Sequence, residues 1–283
     1  MAMFCKKRVS AHSIISCGVL VSNSSESLLT FCADNMPALY RYNLTMNSDI
    51  AKQLIQLNHK FYNEFGDEFS ATRGRLQNGV MKILETIQED ESVLDLGCGN
   101  GLFLQTLSKR GHKSPLLGVD FSLPLLRDAE SSGGVEFREI QLNQLSVNSE
   151  QLLITDNWSL ITCFATLHHI PSHEIRLDIL RTVKSLLKPD GRFILSNWQF
   201  LNSEKLKSRI QDWSKVGLTN QDVDENDYLL DWRSGGEGLR YAHHFSSEEL
   251  HTLANQVEMR VEAEFLSDGE NGKLGLYQVW IHH

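Results

Sequence analysis

The spacing of hydrophobic positions changes several times along the chain, and each change marks an element. After Asn47 or Ser48, either of which can cap a helix, Ile50, Leu54, Leu57, Phe61 and Phe65 recur three or four residues apart until Gly66 ends the run. A second helix is predicted over 76–88, with Val80, Ile83, Leu84 and Ile87 on one face. Short apolar runs then alternate with helical ones. Strands are predicted at 92–96, 116–120, 135–138, 160–164 and 192–197, and helices at 102–109, 124–130 and 174–187. Such alternation implies crossover connections and a parallel sheet. The last two strand-like runs, 257–266 and 275–281, flank a turn containing Gly269 and Gly272. No crossover helix fits between them, so they are expected to pair antiparallel. The expected fold is therefore α/β: a seven-stranded, mostly parallel sheet with helices on both faces, finished by an antiparallel hairpin.

The most informative stretch joins the first strand to its helix. Asp95 and Leu96 are followed by Gly97-Cys98-Gly99-Asn100-Gly101, and Gly118-Val119-Asp120 closes the next strand about twenty residues on. Glycines let a backbone turn sharply and approach a ligand, and the helix start offers free N–H donors. An acidic side chain at the end of the second strand can accept both ribose hydroxyls of a nucleoside. The spacing is G-x-G-x-G, not the G-x-G-x-x-G of dinucleotide sites.

The segments VLDLGCGNG, GVDFS, CFATLHHI and LLKPDGRFILSNW, in this order, resemble the successive motifs of class I S-adenosylmethionine-dependent methyltransferases. The resemblance implies a Rossmann-like fold with S-adenosylmethionine as cofactor. It places Gly97 and Gly99 against the aminoacyl part of the cofactor, Asp120 on the ribose and Phe121 along the adenine. Gln141 stands where relatives carry an acidic residue near the adenine amino group, a departure an amide can serve as acceptor. Asp95, Cys98, Leu142 and Phe164 complete the implied cofactor positions. Arg73 falls where relatives set a cation against the cofactor carboxylate, and Tyr62 and Phe69 are placed to close over the pocket. His168 and His169 follow the fourth strand, where an imidazole can act as a base or simply shape the loop.

About sixty residues separate the fifth strand from the hairpin, and the part near 198–245 is expected to be a substrate lid with an amphipathic helix over 204–213. Tyr228, Arg233 and Tyr241 are its substrate candidates, and Asp231 and His243 join His169 as candidate bases; Trp198 and Phe245 are expected in the core. FSATR, DYLLDW and RYAHHF are similar to the branch containing tRNA wobble-uridine carboxymethyl methyltransferases. That likeness implies a modified tRNA uridine or a small molecule as acceptor, and an activating subunit as a possible partner.

Charge and composition limit the alternatives. The net charge of −9 gives no global reason to bind a polyanion such as DNA, and 41% hydrophobic residues suffice for a sizeable core. Lys6, Lys7, Arg8 and Arg41 against Glu26 and Asp34 leave residues 1–46 positive, Ser-rich and without clear periodicity. They are expected to be a disordered extension or to precede the true start at Met46, with 47–283 forming one methyltransferase domain. Cys5, Cys17, Cys32, Cys98 and Cys163 form no metal-ligand spacing, so no metal is expected; nor is a transmembrane segment, and a cytoplasmic location is the default. A nucleotide-dependent oxidoreductase and a non-catalytic module retaining the cofactor fold are the competing readings.

Overall fold

The computed structural model describes residues 46–72, 74–130, 134–146, 149–152, 157–233 and 236–283. Except for Met46, the segment expected to be an extension lies outside them. The first helix, α1 (Ser48–Glu64), begins where Asn47 accepts the Asp49 N–H through its side chain, and it buries Ala51, Leu54, Asn58, Phe61 and Tyr62. Gly66 does not end helical structure, because α2 (Gly66–Ala71) starts at once. The second predicted helix is shorter than its apolar spacing suggested: α3 covers Asn78–Leu84.

Strands and crossover helices then follow as β1 (Val93–Leu96), α4 (Leu102–Lys109), β2 (Leu116–Asp120), α5 (Leu123–Glu130), β3 (Glu136–Glu139), β4 (Trp158–Phe164), α6 (His173–Leu186) and β5 (Leu187–Trp198). After the insertion come α8 (Ser247–Gln256), a helix the sequence reading missed, β9 (Met259–Ser267) and β10 (Gly275–His282). The seven strands lie in the order β3-β2-β1-β4-β5-β10-β9. β1 to β5 pair in parallel, while β10 runs antiparallel to both β5 and β9.

Alternation along each strand divides the core in two. Leu94, Leu96, Leu117, Val119, Ile161 and Leu195 pack on one face with Leu177, Leu180 and Val183 of α6 and Leu250 and Leu253 of α8. Val93, Leu116, Leu160 and Ile194 face the other way, onto Val80, Ile83 and Leu84 of α3 and Phe103, Leu104 and Leu107 of α4. The strand order reverses between β1 and β4, so a crevice opens at their carboxyl ends, where open α/β sheets bind ligands.

The insertion corrects the sequence expectation. Its helix, α7, is limited to Glu204–Lys207, and its strands form a three-stranded antiparallel sheet of β6 (Ile210–Gln211), β7 (Asp227–Trp232) and β8 (Gly238–His243). α1 lies against β8, with Asn58 accepting the Tyr241 N–H at 2.8 Å and donating to the carbonyls of Tyr241 and His169 at 3.2 and 3.0 Å. One buried amide thus ties the small sheet, α1 and the loop after β4 into a roof over the crevice. Among the described residues no helix is long and apolar enough to cross a membrane.

Candidate active site

The crevice is a cavity of about 430 Å³, within the range of small-molecule sites. Its floor is the glycine turn. Gly97, Gly99 and Gly101 all have positive φ, and a Cβ on Gly97 would meet the Thr166 side chain at 2.3 Å. Thr166 is held there by donating to the Gly97 and Phe164 carbonyls, which fixes the β4 loop against the β1 loop. A Cβ on Gly99 would meet no atom within 4 Å, so this backbone faces open space. Ala165 also carries a positive φ of 49°, a strained backbone at the rim of the cleft.

Asp120 ends β2 with its carboxylate accepting the Gly99 N–H and the Ser122 N–H, each at 2.9 Å. Burial raises its pKa, and those backbone donors oppose the rise. Asp95 is buried in β1, accepts the Thr162 hydroxyl at 2.7 Å, and is pushed up to about 7 chiefly by burial, with Asp120 adding to the effect. Burial and the same two carboxylates raise the Cys98 thiol, making it a wall of the site and not a nucleophile. Phe121 stacks on His59, with ring centroids 4.2 Å apart.

On the roof side, Tyr62 and His169 meet at 2.9 Å between Oη and Nε2, and His169 Nδ1 lies 3.1 Å from the Tyr241 carbonyl. A carbonyl only accepts, so Nδ1 carries the proton, and in the neutral ring Nε2 accepts from the Tyr62 hydroxyl. His168 is buried beside it, and burial, followed by the charges of His169 and Arg240, lowers its pKa well below the ordinary value.

Of the residues singled out by sequence, Tyr62, Asp95, Gly97, Cys98, Gly99, Asp120, Phe121, Leu142, Phe164 and His169 all line this cavity. Gln141 does not; its neighbours Leu142 and Asn143 do. Arg73 and the Phe69 side chain lie outside the described residues.

The candidates from the insertion fare differently, because β7 and β8 present alternate residues to opposite sides. Asp231, Tyr241 and His243 share the face turned away from the cleft. Asp231 lines a separate hollow, where Arg233 binds it at 2.7 Å. Tyr241 and His243 are core: both contact Asp227 Oδ1, at 2.5 and 2.7 Å, and His243 Nε2 reaches Glu249. Tyr228 faces the other way but packs edge-on against Phe200. None of these five borders the cavity. The insertion contributes Arg240 instead, and Trp198, expected in the core, lines the cleft beside Asn197. Strand parity around RYAHHF was the signal that could have separated Arg240 from Tyr241.

A parallel sheet that reverses at β1 and β4, takes an antiparallel β10 beside β5, and sets a glycine turn against an acidic β2 end defines a class I methyltransferase. Comparisons agree. A sequence model described as a methyltransferase domain matches residues 69–264, and the chain belongs to that family. A protein of Encephalitozoon cuniculi described as a candidate methyltransferase is 30% identical over 206 residues, 72% of this chain and 87% of its own. A tRNA (carboxymethyluridine(34)-5-O)-methyltransferase of Mus musculus is 28% identical over 159 residues, 55% of this chain but 22% of its own. Among solved structures, a SAM-dependent methyltransferase of Methanosarcina mazei superposes with a TM-score of 0.56 at 22% identity, over 71% of this chain and 98% of that one. Family membership sets the oxidoreductase alternative aside.

Proposed function

We propose that this protein transfers the methyl group of S-adenosylmethionine to a small acceptor held beneath the roof of α1, β7 and β8. The observation that carries the reading is the buried Asp120 carboxylate lining the cleft, locked to the Gly99 amide. The residues fit the cofactor. Gly99 leaves open the space a side chain would fill, for an aminoacyl chain to pass. Asp120 keeps lone pairs for two hydroxyls after accepting its backbone donors. Phe121 and Leu142 supply apolar surface for an adenine, and Asp95 supplies a carboxyl beneath the turn.

When bound, the cofactor brings a methyl carbon already activated by a sulfonium, so displacement asks mainly for alignment and exclusion of water. The chain supplies alignment through the loop after β4, fixed by Thr166 and by Asn58. For an acceptor that must lose a proton, Tyr62 and His169 form a route: the Tyr62 hydroxyl gives its proton to His169 Nε2 and takes one from the acceptor. A carboxylate acceptor needs no such step. A modified tRNA uridine is the second acceptor reading, supported by the mouse relative; an activating subunit belongs to that reading as a partner to be tested.

Calorimetric titration of the full chain with S-adenosylmethionine and with NAD tests the reading. Asp120→Ala should weaken binding of the methyl donor by about 1.5–3 kcal/mol, or ten- to a hundredfold. Equal affinity of wild type and variant, or preference for NAD, would refute it. Methyl incorporation from labelled cofactor into small-molecule pools or bulk tRNA separates the two acceptors, and binding without transfer to either supports the non-catalytic module.

A further inference from the structure

Two arginines are buried among the described residues, and they are treated in opposite ways. Arg176 is 1% exposed and fully matched: it donates to the Ile170 carbonyl and the Tyr241 hydroxyl and pairs with Asp227 and Asp224. Arg240, 6% exposed, has no carboxylate partner among the described residues, and its Nε makes no hydrogen bond. Its guanidinium sits among three rings, 4.9 Å from Trp198, 5.4 Å from Phe61 and 5.6 Å from Trp232. Aromatic faces compensate part of a buried cation but accept none of the N–H donors in the guanidinium plane.

Arg240 is not alone. Asn197 is 1% exposed, and apart from the neighbouring His168 ring neither amide atom has a partner. His168 accepts the Trp198 backbone N–H at Nδ1, so its neutral ring carries the proton on Nε2, and Asn197 is the side chain it interacts with. All three line the cleft. Buried polar groups in native proteins find partners, and a buried cation beside an amide N–H with no acceptor lacks one thing, an anionic acceptor.

We propose that Arg240, Asn197 and His168 form an anion subsite, and that the molecule taken there is a small planar organic compound bearing a carboxylate or a phosphate. Trp198, which lines the cleft with its ring 4.9 Å from the guanidinium, gives the subsite a flat apolar wall. That this molecule is the methyl acceptor rests on the function proposed above; that the subsite binds an anion does not.

The test uses the full chain with saturating S-adenosylhomocysteine and three aromatic probes at equal ionic strength: benzoate, phenyl phosphate and the neutral benzamide. Binding is read by ligand-observed NMR titration. At least one anion should bind tenfold or more tighter than benzamide, and the stronger of the two anions identifies the charged group. Arg240→Met should abolish that preference while leaving S-adenosylhomocysteine affinity within twofold and thermal stability unchanged or raised, since an unmatched buried charge is removed. Asn197→Leu, which leaves the arginine in place, should reduce the preference severalfold.

Equal binding of benzamide and both anions by the wild type overturns the subsite, as does an anion preference that survives Arg240→Met. Arginine-dependent anion binding by a protein that takes no S-adenosylhomocysteine leaves the subsite standing and removes the methyl-transfer reading.

Discussion

Asp95 makes the cofactor half of the cleft a source of pH-dependent stability. Its carboxyl is buried in β1, close enough to Asp120 to feel its charge, and titrates at about 7 instead of 3.8. In the unfolded chain the proton leaves near pH 4; in the folded chain it stays to about 7. Between those limits the folded state binds more protons, so stability falls as pH rises, and the fall is complete once the folded carboxyl has ionised. A difference of roughly 3 pH units at about 1.4 kcal/mol each amounts to about 4 kcal/mol. Asp95→Asn keeps the shape and an oxygen to accept the Thr162 hydroxyl but cannot ionise. Urea unfolding followed by tryptophan fluorescence at pH 4 and pH 8 gives both stabilities, and taking wild type minus variant cancels every other titrating group that the change leaves alone. The variant should gain on the wild type by about 4 kcal/mol from pH 4 to pH 8. Parallel stabilities, within about 1 kcal/mol at both pH values, would refute the claim that burial holds this carboxyl protonated.

Two further changes test the framework around the cleft. Gly97→Ala puts a Cβ into Thr166 at a positive φ, and should cost about 2–4 kcal/mol in urea unfolding; a neutral result would mean that the β1 and β4 loops are not locked together. Asp227→Ala strips Arg176, Tyr241 and His243 of their common acceptor and should cost about 3–5 kcal/mol, while leaving S-adenosylmethionine affinity in the surviving folded protein unchanged. A large loss of affinity without loss of stability would return Tyr241 and His243 to the site.

Much of the sheet was legible because its buried strands are short and bounded by strong punctuation. Leu116–Asp120 and Leu102–Lys109 have the bounds their apolar patterns predicted. Where the pattern overreached, local chemistry explains it. The apolar spacing of 76–88 continues through Ile87, but the backbone leaves the helix after Leu84, and the Thr86 hydroxyl and N–H both turn back onto the Ile83 carbonyl. The stretch 204–213 carries apolar residues at helical intervals, yet Ile210 and Gln211 pair with Leu230 and Leu229 as an edge strand. Pairing partners so distant in sequence leave no mark on local periodicity.

The site divides along the same line. Its cofactor half is written in contiguous motifs, where turn glycines and a strand-end aspartate have few other uses. The roof half depends on which face of β7 and β8 meets the cleft, and composition is silent on that. Reading RYAHHF by residue type favours Tyr241 and His243, since tyrosine and histidine are common in catalysis. Yet both are held by Asp227 in a closed network, and a fully matched group has little left to offer a ligand. The neighbour one step along the strand, Arg240, is the residue whose electrostatics are incomplete. Burying it there is costly to the folded chain, and a binding site is the place where that kind of cost is recovered when the ligand arrives.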